Sequence, residues 1–107
     1  MKIGTLTGPT KMTQGTVVSW QEIPSMVEAR NGRDRHKIQL SERFQELIDM
    51  IAMRRGLDGT DEYLAEWRKI PSQDRDGSPQ EVAEAMAKEL EDRYDEIRAE
   101  AVASIKS

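Results

Sequence analysis

The segment from Ser41 to Gly56 constrains this chain more than any other. Phe44, Leu47, Ile48, Ile51 and Ala52 recur at offsets of three and four, which on a helix of about 3.6 residues per turn is one continuous apolar stripe. Met50 and Met53 flank the stripe. Ser41 suits the N-cap, although Phe44 takes the place a capping box gives to Glu or Gln. Arg54 and Arg55 complement the negative end of the dipole, and Gly56 fits the left-handed position past the last turn. Such a helix must lay its stripe on other apolar residues. In a chain of 107 residues, that means one small core in one domain.

The residues before the helix predict a sheet. Val17, Val18 and Trp20 are β-branched or aromatic and lie between Gly15 and Pro24. Ile23-Pro24 predicts a bend, because proline offers no ladder donor and restricts the residue before it. Met26 to Arg30 reads as a second strand. Asn31-Gly32 is a strong hairpin signal, since both residues tolerate the positive φ of a type I′ turn. A return strand from Arg33 to Leu40 follows, with Ile38 and Leu40 alternating with Lys37 and Gln39.

After Leu57-Asp58-Gly59, Thr60 caps a shorter helix with Tyr63, Leu64 and Trp67 on one face and Ile70 near its end at Pro71. Ser72 to Gly77 is polar and reads as a loop. Ser78-Pro79-Gln80-Glu81 then combines a serine cap, proline at the first helical position and glutamate three residues after the cap. Val82, Met86, Leu90, Tyr94, Ile97, Ala101 and Ile105 continue a narrow stripe. As a single helix this segment would reach roughly 40 Å at 1.5 Å per residue, so part of it must project, dock on a partner or break. The expected fold is therefore α+β: a small antiparallel sheet of three strands packed by two helices, then a long acidic C-terminal helix. The boundaries are a flexible leader (1–14), a core domain (15–70), a loop (71–77) and an amphipathic helix (78–107).

Composition removes many chemistries. There is no cysteine and one histidine, which excludes disulfides, thiolate metal sites, cysteine nucleophiles and multi-histidine metal centres. Asp58, Asp61 and Glu62 around Gly59-Thr60 do not supply the alternating ligands of a calcium loop. No cofactor or metal is expected. No apolar run is long enough to span a bilayer, and the first residues lack the apolar core of a secretory signal. A cytoplasmic location is the expectation. Charge is uneven: residues 1–57 hold nine Lys/Arg against six Asp/Glu, and residues 58–107 hold seven against fourteen, for a net charge of −4. That balance argues against nucleic acid or an anionic membrane as the general partner.

Two candidate sites emerge. Arg33, Arg35, His36, Lys37 and Arg43, with Arg30 beside them, cluster at the hairpin and the helix entry. They read either as an anion site aided by the amides that open the helix, or as a solvated hairpin tip facing the acidic C-terminal helix. His36 is the residue whose ordinary pKa lies near neutrality, yet no nucleophile motif accompanies it. Trp20, Tyr63, Trp67, Leu90, Tyr94 and Ile97 form the second set, read as interface anchors because aromatic residues typify binding surfaces. The stripe that outruns the body would be covered by a protein partner or a second copy. On that reading, lysines at Leu90 and Ile97 weaken association and leave the N-terminal part folded.

Val18-Ser19-Trp20-Gln21-Glu22-Ile23-Pro24-Ser25, the run Leu40-Ser41-Glu42-Arg43-Phe44-Gln45-Glu46-Leu47-Ile48-Asp49, Ala52 to Leu57 and Gly59 to Trp67 together resemble a small bacterial virulence factor domain family. The resemblance spans Thr16 to Ile70 and leaves Met1 to Gln14 outside it. It carries over no catalytic residue, and it implies a domain that stands alone or serves as one module of a longer protein. The expected function is thus a non-enzymatic protein-interaction module. The resemblance also implies an alternative, an accessory subunit of folate- or corrinoid-dependent methyl transfer. A small enzyme using His36 with a nearby carboxylate is the third reading.

Overall fold

A computed structural model describes residues 12–105. Three strands, β1 (Met12–Trp20), β2 (Ile23–Asn31) and β3 (Asp34–Gln39), form an antiparallel meander, as the alternation predicts. The hairpin closes one residue later than expected. Asn31 pairs with Asp34, and the turn residues are Gly32, at φ 63°, and Arg33. A single positive φ at the first turn position is the II′ pattern rather than I′. This register sets Val27 opposite Ile38, joining two apolar side chains on the face that the helices cover.

Pro24 lies within β2 and not at a bend. The chain reverses earlier, at Gln21-Glu22, with Gln21 at φ 54°. Val18 pairs with Met26 and Ser19 with Pro24, so Ser25 is an extra residue, a bulge in β2. β3 pairs with β2 only from Met26 onward, so the N–H that Pro24 lacks is not missed there.

The sheet has five strands, not three. β4 (Trp67–Pro71) and β5 (Arg75–Asp76) both lie along the free edge of β1, β4 at Thr16 to Trp20 and β5 at Met12 and Thr13. The order is β3-β2-β1-β4 with β5 beside β1. The second helix therefore stops at Ala65 rather than Ile70, and the expected loop carries β5. Pairing with β1 offers the Trp67–Pro71 backbone a full ladder, and this overrides a weak helical pattern. Met12 to Gln14, read as leader, belong to β1. Thr13 is fully buried and donates its hydroxyl to the Gly77 carbonyl. The rest of the expected leader lies outside the described residues.

The described residues hold four helices, α1 (Glu42–Arg54), α2 (Asp61–Ala65), α3 (Pro79–Asp92) and α4 (Tyr94–Ile105), of which α1, α3 and α4 pack on the sheet. The predicted stripe of α1 is the middle of the core, with Phe44, Leu47, Ile48, Ile51 and Ala52 all buried. Ser78 and Glu81 form the expected capping box, each side chain bonding the other's backbone N–H.

The long C-terminal helix breaks at Arg93, whose N–H bonds the Leu90 carbonyl in a tightened last turn. No proline or glycine stands there. Burial decides the break: Val82, Ala83 and Met86 of α3 pack on Val27 and Ala29 of the sheet, while Ile97 and Ala101 of α4 join the core around α1. One straight helix could not reach both. Gly15 makes the first contact close, since a Cβ there would lie 2.6 Å from Met86 Sδ.

Candidate interaction surface

The predicted anion cluster is divided by the fold. Arg43, on α1, faces α3 and meets Glu91. Glu91 Oε2 accepts from the Ser41 N–H at 2.6 Å, and its Oε1 accepts from the Ser41 hydroxyl at 2.8 Å and from Arg43 Nη2 at 3.0 Å. Arg43 Nη2 also donates to the Glu91 carbonyl at 2.8 Å, and the guanidinium stacks 4.4 Å from the centroid of Tyr94. The anion at the entry of α1 is thus this chain's own carboxylate. It bridges α1 to the end of α3, next to the break.

Burial opposes ionisation of Glu91, but the bonds from Ser41 and Arg43 outweigh it and hold its carboxyl below the usual range. A carboxyl lowered in the folded state stabilises the fold above its unfolded pKa, and that contribution is lost as pH falls through the folded value. Glu91→Ala is expected to cost about 1–2 kcal/mol in urea unfolding. Glu91→Gln should flatten the acid limb of stability against pH, and an unchanged acid limb would mean the bridge contributes nothing.

The remaining members sit on the β2–β3 hairpin, and alternation separates them. Arg35 and Lys37 share one face of β3, while His36, opposite Ala29, is on the other, beneath the helices. The His36 side chain makes no hydrogen bond or ion pair among the described residues, which also hold no cluster of three or more His, Asp or Glu able to hold a metal ion.

Two of the six predicted interface anchors lie inside, and the other four are half-buried. Trp20 is 0% exposed and Ile97 7% exposed, so neither has surface to offer in this conformation. Leu90 and Tyr94 are half-buried against the core, Tyr94 edge-on to Phe44 at 5.1 Å. Tyr63 and Trp67 are half-buried as well, their rings 6.3 Å apart and nearly perpendicular. The apolar stripe is covered from within the chain.

The surface that sequence reasoning missed is the other side of the sheet. Gly15, Val27 and Ala29 meet α3, so the residues of opposite parity face away from the helices. They are Gln14, Thr16 and Val18 of β1, Met26, Glu28 and Arg30 of β2, Arg35, Lys37 and Gln39 of β3, and Lys69 of β4. None is buried, and none belongs to the core. Gln14, Thr16, Glu28, Arg30, Arg35 and Lys69 line one shallow depression of about 240 Å³. On the face as a whole, Arg30, Arg35, Lys37 and Lys69 stand against Glu28, which pairs with Arg35 at 3.1 Å. Arg30, Lys37 and Lys69 have no ion pair among the described residues, whereas Arg43, Arg75, Lys88 and Arg93 are each matched by an acid. Alternation along Arg33 to Leu40 was legible, but Lys69 came to this face only because Trp67–Pro71 is a strand.

Among the described residues, a five-stranded antiparallel sheet with α1, α3 and α4 on one face and basic, uncovered positions on the other defines a small α+β domain. The chain belongs to the family described as virulence factor, whose model matches residues 18–102. The match takes in α3 and most of α4 and so extends beyond the stretch that carries the resemblance. No curated protein and no solved structure matches the chain. Among the described residues, no helix is long and apolar enough to cross a membrane.

Proposed function

We propose that this chain is a non-enzymatic interaction module that holds an acidic protein partner against the open face of its sheet. The supporting observation is the unpaired positive charge of Arg30, Lys37 and Lys69 on a face that no described element covers. A protein with net charge −4 that sets three unpaired cations close together on one sheet face presents a local field opposite to its overall charge, and such a patch steers and orients an anionic partner. Val18 and Met26 in the middle of the patch give that partner some apolar surface beneath the charges.

Arg30→Glu with Lys69→Glu reverses the patch at two exposed positions and leaves the core untouched. In affinity capture from native lysate, the proposal expects a partner retained by the wild type and lost by the double variant. Binding should also weaken steeply as salt rises. A partner held equally by both proteins, or with no salt dependence, would place the contact elsewhere.

A further inference from the structure

We infer that the partner binds as an extended acidic strand added to the free edge of β3, with carboxylates at alternate positions opposite Arg35 and Lys37. This rests on the open-face reading above and specifies its geometry. The hairpin fixes which groups are available. Asn31 and Asp34 close the turn as a pair, and the Leu40 N–H bonds the Ser25 carbonyl at 2.9 Å. Between these points the antiparallel ladder alternates, so His36 and Ile38 turn their N–H and C=O groups toward β2. Arg35, Lys37 and Gln39 turn theirs outward. β3 ends the strand order, and nothing among the described residues pairs with that edge.

The same three residues carry their side chains on the open face. An added antiparallel strand would therefore pair its backbone with Arg35, Lys37 and Gln39 and set its own directly opposite side chains on that face too. Two carboxylates two residues apart would meet Arg35 and Lys37, with Arg30 behind them on β2. The intervening residues of the added strand would lie beside His36 and Ile38, on the helix side of the sheet.

Charge selects this occupant over a second copy. A two-fold pairing of β3 with itself centred on His36 sets Arg35 opposite Lys37, and one centred on Lys37 sets two lysines opposite each other. Like charges directly across a ladder are destabilising, and lysine on an edge strand is a common guard against self-pairing. The residues that refuse a copy are suited to an acidic strand, as in other cases of strand addition to a sheet edge.

The test uses the full chain and a short synthetic peptide alternating glutamate and valine, with a scrambled peptide of the same composition as control. The alternating peptide should bind more tightly and slow amide exchange at Arg35, Lys37 and Gln39 by about tenfold, leaving His36 and Ile38 unchanged. Lys37→Glu should weaken binding by about tenfold or more. Gln39→Pro keeps every cation and removes one outward N–H at an edge position that tolerates proline, so it should weaken binding as well. If Gln39→Pro does not fold, amide exchange in the wild type decides alone. Peptide binding without protection of the three outward amides would overturn strand addition while leaving the open-face reading intact. Equal binding of the scrambled peptide would overturn it too, as would protection of those amides by self-association without peptide. Loss of partner capture in the Arg30→Glu, Lys69→Glu variant is the separate criterion for the open-face reading.

Discussion

Trp20→Ala is expected to lower the free energy of unfolding by about 3–5 kcal/mol, among the largest effects of any single truncation in this chain. Trp20 heads the fully buried side chains by volume. It fastens α2 to the end of the β1–β4 pair. Its Nε1–H donates to the Tyr63 carbonyl at 2.8 Å, its ring lies 5.4 Å from that of Tyr63, and its backbone pairs with Trp67 of β4. The substitution leaves a cavity between β1 and α2 and deprives the Tyr63 carbonyl of its donor. Trp20→Phe keeps most of the buried area and loses the hydrogen bond, so a smaller cost of about 1–2 kcal/mol separates the polar from the packing part. Urea unfolding followed by far-UV circular dichroism measures both. A Trp20→Ala midpoint close to wild type would mean that α2 and β4 are not anchored through this ring.

Ile97→Lys carries an expected loss of similar size, about 3–5 kcal/mol, and it separates two pictures of the C-terminal segment. If that segment were a projecting arm, a lysine at Ile97 would disturb association and spare the body. In the folded chain Ile97 is 7% exposed and clusters with Phe44, Leu47, Ile48 and Ile51. An ammonium there cannot stay in that apolar cluster, and turning it out toward Glu22 and Glu100, which line the same depression, gives up the packing of α4 on α1. Loss of the cooperative transition of the whole domain is the expected result. A variant that unfolds like wild type but sediments as a smaller species would restore the arm.

The elements with strong local signals appear where the sequence puts them. The stripe of α1 needs only helical periodicity, and its five residues are the buried ones. The capping box at Ser78 and the Thr60 cap, whose side chain accepts from the Tyr63 N–H, are short-range chemistry and equally readable. So are the three strands of the meander, because alternation shows locally. The hairpin register was displaced by one residue, since Asn31-Gly32 and Gly32-Arg33 are both acceptable turns and only the match of Val27 with Ile38 chooses between them.

The candidate site was less legible. Arg35 and Lys37 could be named, and their place on one strand face followed from alternation. Arg43 was grouped with them by nearness in sequence, yet Glu91, far along the chain, claims it. Trp20 and Ile97 were read as binding residues for their type, and type does not distinguish an interface from a core.

By itself, then, the sequence determined the helix that needed a sheet, the meander that could supply one, the caps, and the uneven charge. Tertiary structure decided everything that depends on which distant segments compete for the same surface. The free edge of β1 drew Trp67–Pro71 out of a helix and into β4, because a complete ladder outweighs a marginal helical propensity. The bend at Arg93 arose because the sheet and α1 each required part of one apolar stripe, and a helix can face both only by breaking. With α1, α3 and α4 thereby committed to one side of the sheet, the basic positions on the other side were left uncovered by any described element.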